Sequence, residues 1–514
     1  MAKPLQSASI AAPGFYGLNT QESSITLAAG FALQADNCVI DKYGRLGARK
    51  GWYYVTNGMT GVNLKGVHEF IDVNGQRYVG AWNDTGFYII NNYVMSPVTY
   101  TGDNTIDGVN WQAATLNDAA FLFDRRYKPI YFSPTTGTLS DVEDAGHGVP
   151  PNGNTVLSAY GRLWVADTST NKTTVYWSDL LDGTNWNSGT SGSLDLSSVL
   201  VNGNDEIVAL GAHAGRLIIF CKDNVIIYGD TDGDTALNPS TMQLVEVIHG
   251  TGCIARDSVQ NTGTDILFLA KDGLRSLGRL IQEKSQPMRD LSKNIRDDLV
   301  RDLWGTDVTS IKSVYSAAEA FYLLLMPEYK RVYCFDTRSM LPDGSARVTV
   351  WDNQTHSNMV EIYDELKGRD ELYFTNADGL AEYGGYSDNG DTYVIKYYTN
   401  YFDFGDSTKQ KYLKRMSVTL IGGSGQHFVL KAGYDYDDSY RSYPVSISHQ
   451  NNAEYGVAEY NTNAEFTIGT LSDVVRAPMG GSGGVLQVGF EATIEGSQLS
   501  IQKMDMYVKE GRTY

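Results

Sequence analysis

The chain has 514 residues, 42% of them apolar, with 34 tyrosines and 53 glycines, enough to bury one large core and a smaller second one. The excess of Tyr and Gly over long helix formers suits β-rich structure. Its 60 acidic and 41 basic side chains leave a formal charge of −19, which argues against a protein that grips nucleic acid by its phosphates, because that needs a basic balance or stripe.

Residues 1–60 form a lead-in of mixed polar and small residues. The opening Met1-Ala2-Lys3-Pro4-Leu5-Gln6-Ser7 lacks the apolar stretch of a secretory signal. The lead-in ends in an expected strand, Gly51-Trp52-Tyr53-Tyr54-Val55, able to complete a last blade and close a ring that would otherwise have free sheet edges. Across the whole chain no apolar run approaches the ~20 residues of a membrane-spanning helix.

From residue 61 to 395 one pattern recurs seven times: an apolar and aromatic run, a polar turn, and a second such run. Tyr78, Ala120, Leu163, Leu217, Ile266, Phe321 and Leu372 mark equivalent positions, spaced 42 to 55 residues apart. The second runs include Gly86-Phe87-Tyr88-Ile89-Ile90, Val175-Tyr176-Trp177 and Arg331-Val332-Tyr333-Cys334-Phe335. Turns such as Asn83-Asp84-Thr85-Gly86 and Asn376-Ala377-Asp378-Gly379 supply residues that tolerate the positive φ of tight hairpins. A hairpin at this period is what one four-stranded blade requires. The expected fold is therefore all-β, a β-propeller of six to eight blades. One amphipathic helix interrupts it at 288–303, where Leu291, Ile295, Leu299 and Leu303 recur every fourth residue between charged positions. That stripe packs either on the side of its own propeller or against a neighbouring subunit.

Residues 396–514 lose the repeat but keep alternating strands, among them Ser417–Ile421, Phe428–Ala432, Glu465–Ile468 and Leu486–Ile494. Glycine-rich turns such as Gly480-Gly481-Ser482-Gly483-Gly484 separate them, which predicts a smaller β-sandwich or barrel domain. Cys38, Cys221, Cys253 and Cys334 are far apart and form no Cys-x-x-Cys pair, as expected of buried thiols in a reducing cytosol.

The chain offers little for catalysis. Asp230-Thr231-Asp232-Gly233-Asp234 resembles a calcium loop, but its glycine is fourth instead of sixth and Thr241 stands where a bidentate Glu belongs. Tyr434-Asp435-Tyr436-Asp437-Asp438 reads as an acidic surface loop. The seven histidines, His68, His147, His213, His249, His356, His427 and His449, have no ligand spacing. Ser178 to Trp186 faintly resembles the Asp-box turn of sialidases at the wrong spacing. Ser482 sits in Gly-x-Ser-x-Gly, yet a strand follows it where a nucleophile elbow needs a helix. We therefore expect no enzyme, no catalytic, cofactor-binding or metal-binding residues, and no cofactor. The acidic balance reads as solubility or as a passage through which DNA slides without sticking.

Three stretches carry a resemblance. Gly30-Phe31-Ala32-Leu33-Gln34-Ala35-Asp36-Asn37-Cys38-Val39-Ile40-Asp41, followed by Gly44-Arg45-Leu46 and Arg49-Lys50-Gly51, looks like the start of the tail nozzle, or tail tubular hub, proteins of short-tailed bacteriophages. So do Gly161 to Ala166 with Val175-Tyr176-Trp177-Ser178 and Asn185-Trp186, and Phe268-Leu269-Ala270-Lys271-Asp272-Gly273-Leu274-Arg275. The likeness covers residues 20 to 400 as a pattern of strands and turns. It implies a propeller in a homo-hexameric ring below the portal and adaptor proteins of the virion tail, with tail fibres or spikes attached. Viral DNA would pass through the lumen without sequence-specific binding, and the protein would be made in the bacterial host cytoplasm. Within that reading, positive side chains such as Arg45, Arg49 and Lys50 are candidates for local rings that brake or steer the duplex. The alternative is a carbohydrate-binding adhesin or glycosidase of a phage tail on the same scaffold, and a third reading is a cellular scaffold propeller.

Overall fold

The computed structural model describes residues 5–513 apart from 57–60, 104–106, 108–109, 143–149, 201–204, 231–236, 283–289, 424, 448–451, 454–464 and 467–471; at 282, 452, 453, 465, 466, 472, 473, 512 and 513 it describes the backbone only. The seven hairpins seen in the sequence are the second and third strands of seven antiparallel sheets. Six blades have four strands: Gly66–Ile71 to Val94–Val98, Gln112–Leu116 to Thr138–Asp141, Gly153–Ala159 to Gly192–Asp195, Ile207–His213 to Met242–His249, Lys312–Ser316 to Arg347–Trp351, and Asn358–Asp364 to Gly379–Tyr383 with Trp52–Tyr54 added. The fifth blade has three, Gln260–Asn261, Ile266–Ala270 and Gly273–Ser276.

The local chemistry explains the hairpins. Asn117-Asp118, Tyr160-Gly161 and Ala214-Gly215 each join a first strand to a second, and both residues of each pair have positive φ. That is the type I′ geometry whose twist matches the flanking strands. The first strands of successive blades lie side by side, and that of the seventh returns to that of the first, so the ring closes. Separate apolar clusters fill six of the gaps between blades. The remaining gap, between the fifth and sixth blades, opens into the largest core of the molecule, where Leu269 and Leu274 meet Tyr322 and Leu324.

Closure uses the lead-in: Trp52–Tyr54 pairs with Gly379–Tyr383, placing Trp52 opposite Tyr383. Gly51 has no room for a side chain, since a Cβ there would stand 1.9 Å from the Ser387 carbonyl oxygen.

The rest of the lead-in belongs to the sandwich. Gln6–Ala11 pairs along Leu499–Thr513, Leu46–Ala48 pairs with that same strand, and Phe31–Asp36 pairs with Tyr393–Thr399. The second domain is thus built from residues 6–48 together with residues from 393 onward, where the sequence divides the chain into three consecutive parts. The physical reason is edge protection: the 15-residue Leu499–Thr513 strand is covered by chain from the far terminus. One sandwich sheet runs Ser472–Pro478, Lys409–Gly422, Leu499–Thr513, Leu46–Ala48, Cys38–Ile40. The other is continuous with the sixth blade: from Arg347–Trp351 it passes through Gly17–Leu18, Phe31–Asp36, Tyr393–Thr399, Leu486–Ile494 and His427–Tyr434 to Arg441–Ser446, a ten-stranded sheet in all. Met416, Val418, Met504 and Met506 of one sheet face Tyr397, Phe428, Leu430 and Phe490 of the other in one core.

The expected helix is shorter than its apolar spacing suggests. It runs Arg296–Trp304 after a 3-10 turn at Lys293–Ile295. Ser292 N–H and Oγ both donate to Asp290 Oδ1, at 2.8 and 2.7 Å, and such local side-chain bonds compete with helix. Residues 288 and 289 lie outside the described residues. Leu291, Ile295, Leu299 and Leu303 are all buried in the shared core, so the stripe packs within its own chain. All four cysteines are free and buried.

Candidate functional site

Among the described residues, one side chain bridges blades at the end of the propeller channel where the first strands begin. Arg256, in the turn before the fifth blade, reaches to the second and third blades, donating from Nη1 to Asn110 O at 3.0 Å, Asn154 O at 2.6 Å and Asn154 Oδ1 at 3.1 Å. Its other face forks onto Asp257 at 2.8 Å, and Lys312 of the sixth blade reaches the same carboxylate at 2.5 Å. Burial alone would raise the Asp257 carboxyl, but the two cations outweigh it and hold the group well below the usual carboxylate range. Asn154 Nδ2 in turn donates to Asp167 Oδ2 at 3.0 Å, a carboxylate that Arg125 also pairs. A channel bridged in this way has no room for duplex DNA, whose major groove alone is about 12 Å wide.

A second feature lies where the propeller joins the sandwich. Asp36, Asp352, Asp388 and Asp391 line a cleft of about 530 Å³ together with Trp52 and Lys396. Burial pushes the Asp36 carboxyl up to about 6 against the Gln34 amide that donates to it, and the Asp352 charge adds to the rise. Four carboxylates against one lysine give the cleft an acidic lining.

Here the two arginines of the candidate basic ring prove to be internal. Arg49 is 1% exposed, forks onto Asp388 at 2.8 and 2.6 Å and stacks over Tyr393. Arg45 is 2% exposed and pairs with Asp41 at 2.8 Å, and Lys50 pairs with Glu319 at 2.8 Å. Arg49 ties the lead-in to the segment that enters the sandwich, and Arg45 closes a turn within the lead-in, because a buried guanidinium needs carboxylate and aromatic partners. They cannot touch a duplex.

The other residues singled out by sequence are held mainly by bonds to their own or adjoining segments, and the 435–438 acidic loop lies at the surface as expected. Asp230 Oδ2 accepts from Thr241 Oγ1 at 2.8 Å, which closes a turn; residues 231–234 lie outside the described residues. Asp179 accepts from Thr190 N–H and Oγ1 and from Leu180 N–H, bracketing the Ser178 to Trp186 segment on itself. Asp435 Oδ1 accepts from Gly484 and Val485 N–H, clasping the acidic loop to the glycine turn. Ser482 sits in a two-residue strand against Lys409–Gly422. His356 is sandwiched between Gln354 and Asn376, and His68 meets Thr115; burial pushes both imidazoles down to about 4. His147 and His449 are outside the described residues. Among the described residues no three His, Cys, Asp or Glu side chains gather as metal ligands, and no helix is long and apolar enough to cross a membrane. Sequence reasoning missed Arg256, Asn110 and Asn154 because they sit 102 and 146 residues apart from one another's partners, with no spacing to mark them.

No protein-family model matches the chain, and no curated protein does. Solved structures similar to it include PorZ, a surface component of the type-IX secretion system of Porphyromonas gingivalis, at 10% identity and TM-score 0.33 over 64% of this chain. The match spans 37% of PorZ. The computationally designed protein Ika8 is 12% identical, TM-score 0.34, over 71% of this chain and 98% of its own. The β-propeller domain of Cps50 (Swd1) from Myceliophteria thermophila is 12% identical, TM-score 0.35, over 63% and 97%. Likenesses this distant carry no functional inference, and the propeller assignment rests on the strand pairing described above.

Proposed function

We propose that this chain is a structural subunit of a bacteriophage tail nozzle, with the DNA conduit formed between subunits of a ring and not through the propeller of any one of them. The observation that carries the reading is the ten-stranded sheet that makes the sixth blade and the sandwich one continuous body. A conduit wall has to hold its shape under passage, and a sheet hydrogen-bonded across the junction leaves no hinge there. The resemblance of residues 20 to 400 to nozzle proteins supplies the class, and the net charge of −19 supports weak contact with passing phosphate. The crossing of the channel by Arg256 supports placing the lumen outside the propeller. Two different side surfaces, propeller and sandwich, are what a closing head-to-tail ring uses.

Light scattering on the purified chain tests this. The proposal expects a species of six times the 56.6 kDa chain mass. A trimer or monomer that binds or cleaves cell-surface glycans would replace it with the adhesin or glycosidase reading.

A further inference from the structure

Asp, Glu, Lys and Arg make up 20% of this chain, and its clefts carry that charge. The one where propeller joins sandwich has four carboxylates and Lys396, one between the seventh and first blades has Arg77, Asp364 and Glu365, and one between the third and fourth has Arg162 and Asp230. A cleft of about 600 Å³ on the third blade differs, since no described residue that lines it is charged. Its volume lies in the range of ligand sites. The frame of this cleft is tied down. Thr168 Oγ1 donates to Asn171 O at 3.0 Å and accepts from Asn171 N–H at 2.9 Å, closing the turn between the second and third strands, and Asn171 Nδ2 donates to Tyr176 Oη at 3.0 Å. Trp186 Nε1 donates to Gly183 O at 2.9 Å, and its ring meets Phe123 edge-on. Against that frame the side chains of Asn152, Ser169, Thr170, Asn187 and Ser193 line the cleft without a hydrogen-bond partner among the described residues.

We infer that the third-blade cleft binds a short run of an uncharged glycan, with one sugar ring against the half-buried Tyr176. The lining selects this class. Ser and Thr hydroxyls and Asn amides each both donate and accept, which matches sugar hydroxyls, themselves donors and acceptors at once. The C–H face of a sugar ring supplies the apolar surface that an aromatic wall takes up, and a few placed polar groups beside aromatics are how ligand clefts fix orientation. An anionic or cationic ligand would give up hydration with no opposite charge among these residues to replace it. A wholly apolar ligand would strip water from five polar side chains and return no hydrogen bond. The inference is independent of the nozzle reading, which oligomeric state decides and glycan binding does not.

The probes are the neutral trisaccharides maltotriose, cellotriose and chitotriose, titrated into the full chain by calorimetry beside trigalacturonic acid, which has the same length and a carboxylate on every ring. The expected result is saturable binding of at least one neutral probe with a Kd of about 1 mM or tighter, and at least about tenfold weaker binding of trigalacturonic acid. Tyr176→Ala, which removes the aromatic wall, and Ser193→Arg, which fills the cleft from an exposed position and leaves the core alone, each weaken the neutral probe about tenfold or more. Trp304→Ala, at a side chain 85% exposed and outside the cleft, leaves it unchanged. The inference is overturned if no neutral probe binds by about 10 mM, if trigalacturonic acid binds as well as they do, or if binding survives Ser193→Arg. Octaproline binding that Ser193→Arg abolishes, with no neutral probe bound, would overturn it too, by making the cleft a groove for a proline-rich segment.

Discussion

Replacing Arg256 by alanine removes a side chain that ties the turn before the fifth blade to the second and third blades. Three hydrogen bonds from Nη1 vanish, to Asn110 O, Asn154 O and Asn154 Oδ1, and so does the fork onto Asp257. Removing one partner of a buried ion pair costs about 3–5 kcal/mol. Lys312 remains 2.5 Å from the carboxylate, so Asp257 is not left alone and the lower end, about 3 kcal/mol, is expected. Urea unfolding followed by tryptophan fluorescence reads this as a lower midpoint at unchanged slope. A second signature follows from Asp257, whose folded-state carboxyl is held below its unfolded value. It contributes stability above the unfolded value near 3.8 that is lost as pH falls. With Arg256 gone the carboxyl rises towards its ordinary value, so the variant's deficit is full at pH 7 and shrinks in acid. A loss below about 1 kcal/mol at pH 7, or one that does not vary with pH, refutes the reading of Arg256 as a tie between these blades.

Ile295→Asp puts a charge into the core shared by propeller and sandwich, where Ile295 is 1% exposed, and should cost several kcal/mol, about enough to unfold a marginal chain; unchanged thermal unfolding would show that the stripe is not packed as described. Asp36→Asn keeps an acceptor for Gln34 and removes a carboxyl raised to about 6. A raised carboxyl contributes stability below the unfolded value that is lost as pH climbs to 6, so the variant should be more stable than the native chain at pH 7 to 8, by about 1 kcal/mol after solvent screening, and no better at pH 4. A pH titration of unfolding free energy with the two curves parallel would contradict this. The isolated chain at −19 should bind duplex DNA weakly even at low salt, without sequence preference; tight sequence-specific binding at physiological salt would point to a regulatory DNA-binding protein instead.

What was legible in the sequence follows from where apolar side chains must go. The second and third strands of each blade are packed between neighbouring blades on both faces, as in Arg216–Cys221 and Asn224–Asp230, so they read as continuous apolar runs with a turn between. First strands border a polar channel and fourth strands face solvent, so Gln112–Leu116 and Met242–His249 carry mixed patterns that do not stand out. The closing strand at Trp52–Tyr54 was visible from its aromatics. The assignment of Gln6–Ala11 to the sandwich was not, because its partner residues lie about 500 positions away and pairing at that distance leaves no local trace. Arg45 and Arg49 show the same limit for the site. In sequence they are exposed-looking cations, and only the fold reveals Asp388 and Tyr393 beside Arg49. The fifth blade's missing fourth strand is the one place where a long interval, Ile266 to Phe321, signalled an inserted helix but not its boundaries.

An image reconstruction of the assembled particle, at a resolution that separates blades, bears most directly on the proposed role. The account predicts six copies around an axial opening wide enough for a duplex, with each propeller's own channel closed at Arg256. A particle whose DNA density runs through the centre of a single propeller, or one with no axial opening, would contradict it.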